Sequence, residues 1–98
     1  MSFKRLYITR HAKSDWANPG MDDIDRPLNE RGKKDAPSMA ERMKQMSYQI
    51  DHIISSNARR ASDTATFFHN AFPDATLNKE HQLYHADIDE IFQTCVEL

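Results

Sequence analysis

Ninety-eight residues, 39% hydrophobic and 29% charged, bound the chain at one domain with a lean core. A formal net charge of −2, with both signs interspersed, leaves no electrostatic footprint for nucleic acid or an acidic membrane and points to soluble small-molecule or protein partners. The single cysteine, Cys95, excludes an intramolecular disulfide framework, and the absence of a signal-type leader at Met1-Ser2-Phe3-Lys4-Arg5 or of any span of membrane length makes cytoplasmic residence the expectation.

The first predicted element is a strand. Leu6-Tyr7-Ile8-Thr9 alternates apolar and polar residues, with Leu6 and Ile8 on one face, and runs directly into Arg10-His11-Ala12-Lys13-Ser14. Open α/β sheets bind ligands in the crevice beyond the carboxyl ends of their strands, which is where Arg10 and His11 fall. An imidazole can attack a phosphoryl group through one ring nitrogen while the other is held by an acceptor. A neighbouring guanidinium suits that chemistry because its fork of donors matches phosphate oxygens and stays charged. Lys13-Ser14 has the form of the end of a P-loop without its glycines, so Ser14 either donates to phosphate or caps the loop. Trp16 either packs or forms an exposed rim to the pocket.

From Ser14 to Leu28 the chain reads as loop, with Asn18-Pro19-Gly20 and the acidic residues Asp22, Asp23 and Asp25. No ordered ligand spacing is visible, so the expectation is an acidic surface loop and no metal. Asn29 is placed to cap a helix running to about Met46, in which Ala36, Met39, Ala40, Met43 and Met46 recur at helical spacing as core packing. Pro37 either starts the regular helix or kinks it. Gly32, near the helix start, lets the loop approach closely.

A second strand begins at Ile50 and passes into a helix for which Ser56 or Asn57 is available as cap. Arg60 falls in the first turn, where open backbone N–H groups and the helix dipole favour an anion. Ala61, Thr64, Ala65, Phe68 and Phe72 form the apolar stripe of this helix, which ends at Pro73-Asp74; His52 and His69 read as packing or surface residues. A short third strand is expected over Ala75 to Asn78. His81 and His85 stand four apart, but Gln82-Leu83-Tyr84 lacks zinc-type context, so no metal is assigned. Asp87-Ile88-Asp89-Glu90 has the form of a capping box, and Ile88, Ile91, Phe92, Cys95 and Val96 define an apolar helical face still running at Leu98. Such a face normally covers a sheet, so the expectation is either a C-terminally truncated domain or a homo-oligomer in which another chain completes the fold.

Three stretches, in order and suitably spaced, resemble signatures of the histidine phosphatase superfamily, with its phosphoglycerate-mutase-like fold, and within it the SixA-like phosphohistidine phosphatases. Arg10-His11-Ala12 resembles the family's Arg-His-Gly/Ala. Asp25-Arg26-Pro27-Leu28-Asn29-Glu30-Arg31-Gly32 resembles its Arg-Pro-Leu-Thr-x-x-Gly turn, and Ser56 through Ala65 its Ser-Pro-x-x-Arg-Ala-x-x-Thr-Ala, with Asn57 in place of proline.

The resemblance implies a three-layer α/β/α domain with a mainly parallel sheet, represented over residues 1–98 by its N-terminal portion. It also implies a nucleophilic His11 with Arg10 and Arg60 as phosphate ligands, and needs no cofactor. Leu83-Tyr84-His85-Ala86 resembles the family's Leu-Tyr-x-Ala segment, which makes His85 or Asp87 a proton donor or pocket-lining group. The family completes its pocket with a second histidine in a Gly-His motif; Gly20 and Gly32 are the only glycines here, and neither precedes a histidine.

The expected activity is therefore phosphate removal from a phosphorylated protein or small phosphorylated substrate through a phosphohistidine intermediate. No glutamate acid can be aligned, which leans toward a phosphoramidate, because imidazole leaves with less help from an enzyme acid than an alkoxide does. Two alternatives stand beside it: a phosphate- or phosphoprotein-binding remnant without turnover, and a phosphoglycerate-mutase-like phosphotransferase, which would need further substrate-handling segments.

Overall fold

Asn29 begins the regular structure. Its side-chain Oδ1 accepts from the N–H of Gly32 at 2.8 Å and caps α1, Glu30–Gln45, as its residue type predicts. The computed structural model describes residues 5–96. After α1 come β1 (His52–Ser55), α2 (Arg59–Ala71), β2 (Thr76–Lys79) and α3 (Ile88–Val96), with single 3-10 turns at Asp23–Asp25 and His81–Leu83.

β1 and β2 pair in parallel, His52 opposite Thr76 and Ser55 opposite Lys79. Thr76 N–H to Asp51 C=O and Glu80 N–H to Ser55 C=O, at 3.0 and 2.8 Å, extend the ladder at its two ends. Parallel neighbours require a crossover, and α2 supplies it, packing on both strands and against α1. The class is thus α/β, as expected, and the described residues build a sheet of two strands. No helix among them is long and apolar enough to cross a membrane.

Small side chains dominate what is buried. Leu28, Ala36, Ala40, Ala58, Ala65 and Ala75 are the buried hydrophobic residues, so α1 and α2 meet over alanines rather than over large side chains. The methionines expected in the core lie elsewhere: Met39 and Met46 are exposed and Met43 is half-buried, because Ala36 and Ala40 already occupy the inward face. α1 continues through Pro37, which is therefore neither its start nor its end.

Two further expectations differ from the structure. Leu6 to Thr9 form no strand among the described residues, and Leu6 and Ile8 are exposed. Alternation marks one face of a segment as apolar but does not supply a ladder partner, and a strand exists only through its partner. The pairing falls later, in an antiparallel bridge between Ser14 and Leu28, while Tyr7 packs edge-on against Tyr48 with ring centres 5.2 Å apart. The apolar face of α3 covers no sheet among the described residues, and Ile88 and Phe92 are exposed; its N-terminus follows the capping pattern, Asp87 Oδ1 accepting from Glu90 N–H at 2.9 Å.

Candidate functional site

Three hydrogen bonds and one close contact fix the loop that carries Arg10 and His11. The N–H of Ala12 donates to Thr64 Oγ1 in α2 at 3.1 Å, and that hydroxyl donates back to Arg60 C=O at 2.8 Å. Asn29 N–H donates to Lys13 C=O at 2.9 Å, and Asp15 N–H to Pro27 C=O at 2.8 Å. Beside these bonds Lys13 presses on Gly32 of α1: a Cβ there would lie 2.2 Å from the Lys13 carbonyl oxygen. Gly32 therefore serves the close approach expected of it.

The clamped loop encloses an open cavity of about 380 Å³ lined by Arg10, His11, Ala12, Lys13, Ser14 and Trp16. His11 is half-buried and Arg10 exposed, and Trp16, 74% exposed, forms a rim. His11 Nδ1 lies 2.7 Å from the carbonyl oxygen of Ala12. A carbonyl can only accept, so this contact favours the Nδ1–H tautomer and leaves the Nε2 lone pair bare, the form a nucleophilic imidazole needs.

Arg60 does not line that cavity. It is buried in the first turn of α2, one turn from the Thr64 hydroxyl that holds Ala12, and its guanidinium faces the turn at Asp23. Nη1 donates to Asp23 C=O at 2.7 Å and Nη2 to Asp23 Oδ2 at 2.9 Å. Neither Ser56 nor Asn57 caps α2. Ala58 occupies the cap position without a side-chain bond, Ser56 Oγ accepts from Ala58 N–H, and Asn57 Oδ1 accepts from His81 Nδ1.

Asp23 is the centre of a second cluster. Its Oδ1 accepts from Arg26 Nη2 at 3.1 Å, its Oδ2 accepts from the Tyr84 hydroxyl at 2.6 Å as well as from Arg60, and His85 Nε2 stands 3.6 Å from Oδ2. The Tyr84 hydroxyl foremost, then Arg60 and Arg26, hold the Asp23 carboxyl well below the usual carboxylate range. Reciprocally, the hydrogen bond to Asp23 raises the Tyr84 phenol above its ordinary value. His85 packs against Tyr84 with ring centres 4.1 Å apart and planes inclined by 40°, and adopts a left-handed backbone, φ 55°.

Arg26 joins the two clusters. Its Nη1 donates to Ser14 Oγ on the His11 loop, its guanidinium lies 3.6 Å over the Trp16 ring, and its buried Nε–H has no acceptor among the described residues. Ser14 is buried against Leu28 and Arg26 and also lines the cavity wall.

Of the residues singled out from sequence, Arg10, His11 and Ser14 thus share one cavity, while Arg60 and His85 meet at Asp23. Asp23, Arg26, Thr64 and Tyr84 were not anticipated as site residues. Asp23 is half-buried between basic partners and so departs from the surface-loop expectation that Asp22 and Asp25, both exposed, do follow. Its one sequence cue was the i,i+3 spacing to Arg26. Among the described residues, no three His, Cys, Asp or Glu side chains converge as metal ligands.

Comparison with known proteins gives a consistent picture. Residues 6–91 match the family model described as histidine phosphatase superfamily, branch 1. Over 61 residues, 62% of this chain and 28% of the other, the sequence is 36% identical to an uncharacterized chloroplastic protein of Arabidopsis thaliana. Two proteins of solved structure, each described as a putative phosphohistidine phosphatase SixA, are similar in structure. The one from Agrobacterium tumefaciens superposes with a TM-score of 0.78 at 33% identity, over 89% of this chain and 56% of that one. The one from Nakamurella multipartitia does so with a TM-score of 0.72 at 25% identity, over 86% and 45%. The chain thus spans about half the length of these solved structures and little over a quarter of the curated relative.

Proposed function

The chain belongs to the histidine phosphatase superfamily, branch 1, and from that premise we propose that it removes phosphate from phosphohistidine or a small phosphoester through a covalent intermediate on His11. The β1-α2-β2 unit is, in this reading, part of a three-layer, mainly parallel phosphoglycerate-mutase-like sheet; the similarity to the SixA structures supports it.

The observation that carries the proposal is the placement of His11 in a cavity with Arg10 and Lys13, tethered through Ala12 and Thr64 to the helix that bears Arg60. In the first step Nε2 of His11 attacks phosphorus; a nitrogen–phosphorus bond forms as the bond to the leaving group breaks, and the leaving group takes up a proton. Arg10 stabilises the charge on the equatorial oxygens from the cavity wall, and Arg60, which faces the Asp23 turn beside it, completes the cationic side of the site. Water then breaks the phosphohistidine, releasing inorganic phosphate and restoring the imidazole. Ser14 is a further phosphate contact, since its hydroxyl accepts from Arg26 and keeps its own hydrogen to donate. His85, which borders Asp23 rather than the cavity, is assigned to the leaving-group side.

Incubation with phosphoramidate or p-nitrophenyl phosphate should yield inorganic phosphate and an acid-labile, alkali-stable phosphoenzyme, both lost in His11→Ala. Turnover unchanged in that variant sinks the nucleophile assignment. Binding without turnover draws on one observation, the engagement of Arg60 by Asp23; it calls for phosphate affinity with no phosphoenzyme under the same conditions.

A further inference from the structure

We propose that Asp23 is the positioning residue of this site: it fixes the Arg60 guanidinium through its carboxylate and its own carbonyl, and through Arg26 it ties that guanidinium to the His11 loop. The inference rests on the phosphate-processing reading and deepens it.

Two separate Arg60 nitrogens are held, Nη1 by the Asp23 carbonyl and Nη2 by Oδ2. Gripping both ends fixes the plane of the fork, and a guanidinium carries three N–H groups beyond the two so engaged. An arginine ordered beforehand spares binding the entropy of ordering a long side chain. The grip is itself anchored. Asp23 opens a 3-10 turn in which Arg26 N–H donates to the same carbonyl, and the Tyr84 hydroxyl fixes the carboxylate from the opposite segment of the chain.

The other carboxylate oxygen reaches Arg26, and Arg26 reaches Ser14, three residues after His11. Both arginines are buried, Arg26 at 8% and Arg60 at 7% exposure. Two neighbouring buried guanidinium groups repel unless an anion lies between them, and Asp23 is that anion. Within the trio itself, two positive charges stand against one negative. Asp23 acts through the arginines and touches no reacting atom.

The test is titration of the full chain with inorganic phosphate, followed by the fluorescence of Trp16, the only tryptophan and part of the cavity wall. Asp23→Asn keeps the shape and removes the charge, and should weaken phosphate binding on the order of tenfold, as loss of a charge-assisted contact does; Asp23→Glu should recover part of it. In an Arg60→Ala background, Asp23→Asn should cause no further loss, whereas a general structural defect would weaken both backgrounds alike and overturn the proposal. Equal affinity in wild type and Asp23→Asn overturns it, and so does tighter binding in the variant, since the carboxylate would then be competing with the ligand. If Asp23→Asn does not fold, Tyr84→Phe decides: it frees the carboxylate, should weaken binding roughly threefold, and overturns the proposal if binding is unchanged. A wild-type chain that binds no phosphate fails at the first titration and removes the phosphate reading itself; a binding wild type with an indifferent Asp23 removes only this one.

Discussion

Ala12 and Thr64 stand 52 residues apart in sequence and are joined by one hydrogen bond of 3.1 Å, from the main-chain N–H of the first to Oγ1 of the second. The residue after His11 is thereby fixed one helical turn from Arg60, so two sequence motifs become neighbours through a hydroxyl that belongs to neither chemical role. Thr64→Val tests the link because it preserves shape in a buried site and removes both the acceptor for Ala12 and the donor to Arg60 C=O. The expected cost is about 1–2 kcal/mol in urea unfolding, chiefly from an unsatisfied amide. Faster hydrogen exchange at the Ala12 amide should accompany it, and exchange at the wild-type rate would contradict the tether.

Gly32 gives the opposite sign from helix propensity. In an ordinary helix, replacing glycine by alanine stabilises by about 1 kcal/mol. Here the added Cβ would meet the Lys13 carbonyl oxygen at 2.2 Å and its carbonyl carbon at 3.1 Å, and the obstacle is backbone, which cannot rotate away. The backbone of Gly32 is not left-handed, so the penalty is purely steric. Gly32→Ala should destabilise by about 1–3 kcal/mol, the usual range for overpacking, and should lower phosphate affinity by shifting the loop that holds His11. A raised melting temperature would show that the contact yields.

How far the sequence disclosed this arrangement follows from what each signal encodes. Asn29 and the periodicity after it announced α1, the apolar pair Ile53-Ile54 announced β1, and a short strand was expected over Ala75 to Asn78 where β2 lies, because caps and periodicity are local properties. Leu6 and Ile8 carried the same kind of signal without forming a strand, since a ladder depends on a neighbour that alternation does not name. The Met39 and Met46 stripe misled for a related reason: helical spacing finds a face, and only packing decides that Ala36 and Ala40 occupy it. Arg10, His11 and Ser14 could be read as neighbours because they are adjacent in the chain. Asp23 was marked only by its i,i+3 spacing to Arg26, because its other partners Arg60 and Tyr84 lie 37 and 61 residues away.

Acid should weaken the fold through that carboxylate. Its pKa is lowered in the folded state, so its contribution is fully present above the ordinary carboxylate value of about 4 and is lost as pH falls through the depressed one. The groups facing it are Arg26 beside its own turn, Arg60 from α2, and Tyr84 and His85 from the segment after β2. Wild type and Asp23→Asn should therefore differ in melting temperature at neutral pH and converge progressively below about pH 4. A difference that stays constant down to pH 2 would mean that the charge of Asp23 contributes nothing to the fold.

Arg10 and Arg60 are expected to separate binding from stability. Arg10 is exposed on the cavity wall, so Arg10→Ala should change folding free energy by no more than about 0.5 kcal/mol, as for ordinary surface positions, while weakening phosphate binding. Arg60 is buried and holds the Asp23 turn to α2 by two hydrogen bonds. Its removal strips packing from the turn as well as charge from the anion site, so Arg60→Ala should lower both phosphate affinity and stability, the latter by about 1–3 kcal/mol. Arg60→Lys refines the comparison: one ammonium nitrogen retains the charge but cannot span the carbonyl and Oδ2 with a planar fork, so stability should recover more than affinity. Full recovery of affinity by lysine would show that charge alone suffices at this position and that the fixed geometry of the guanidinium does not matter.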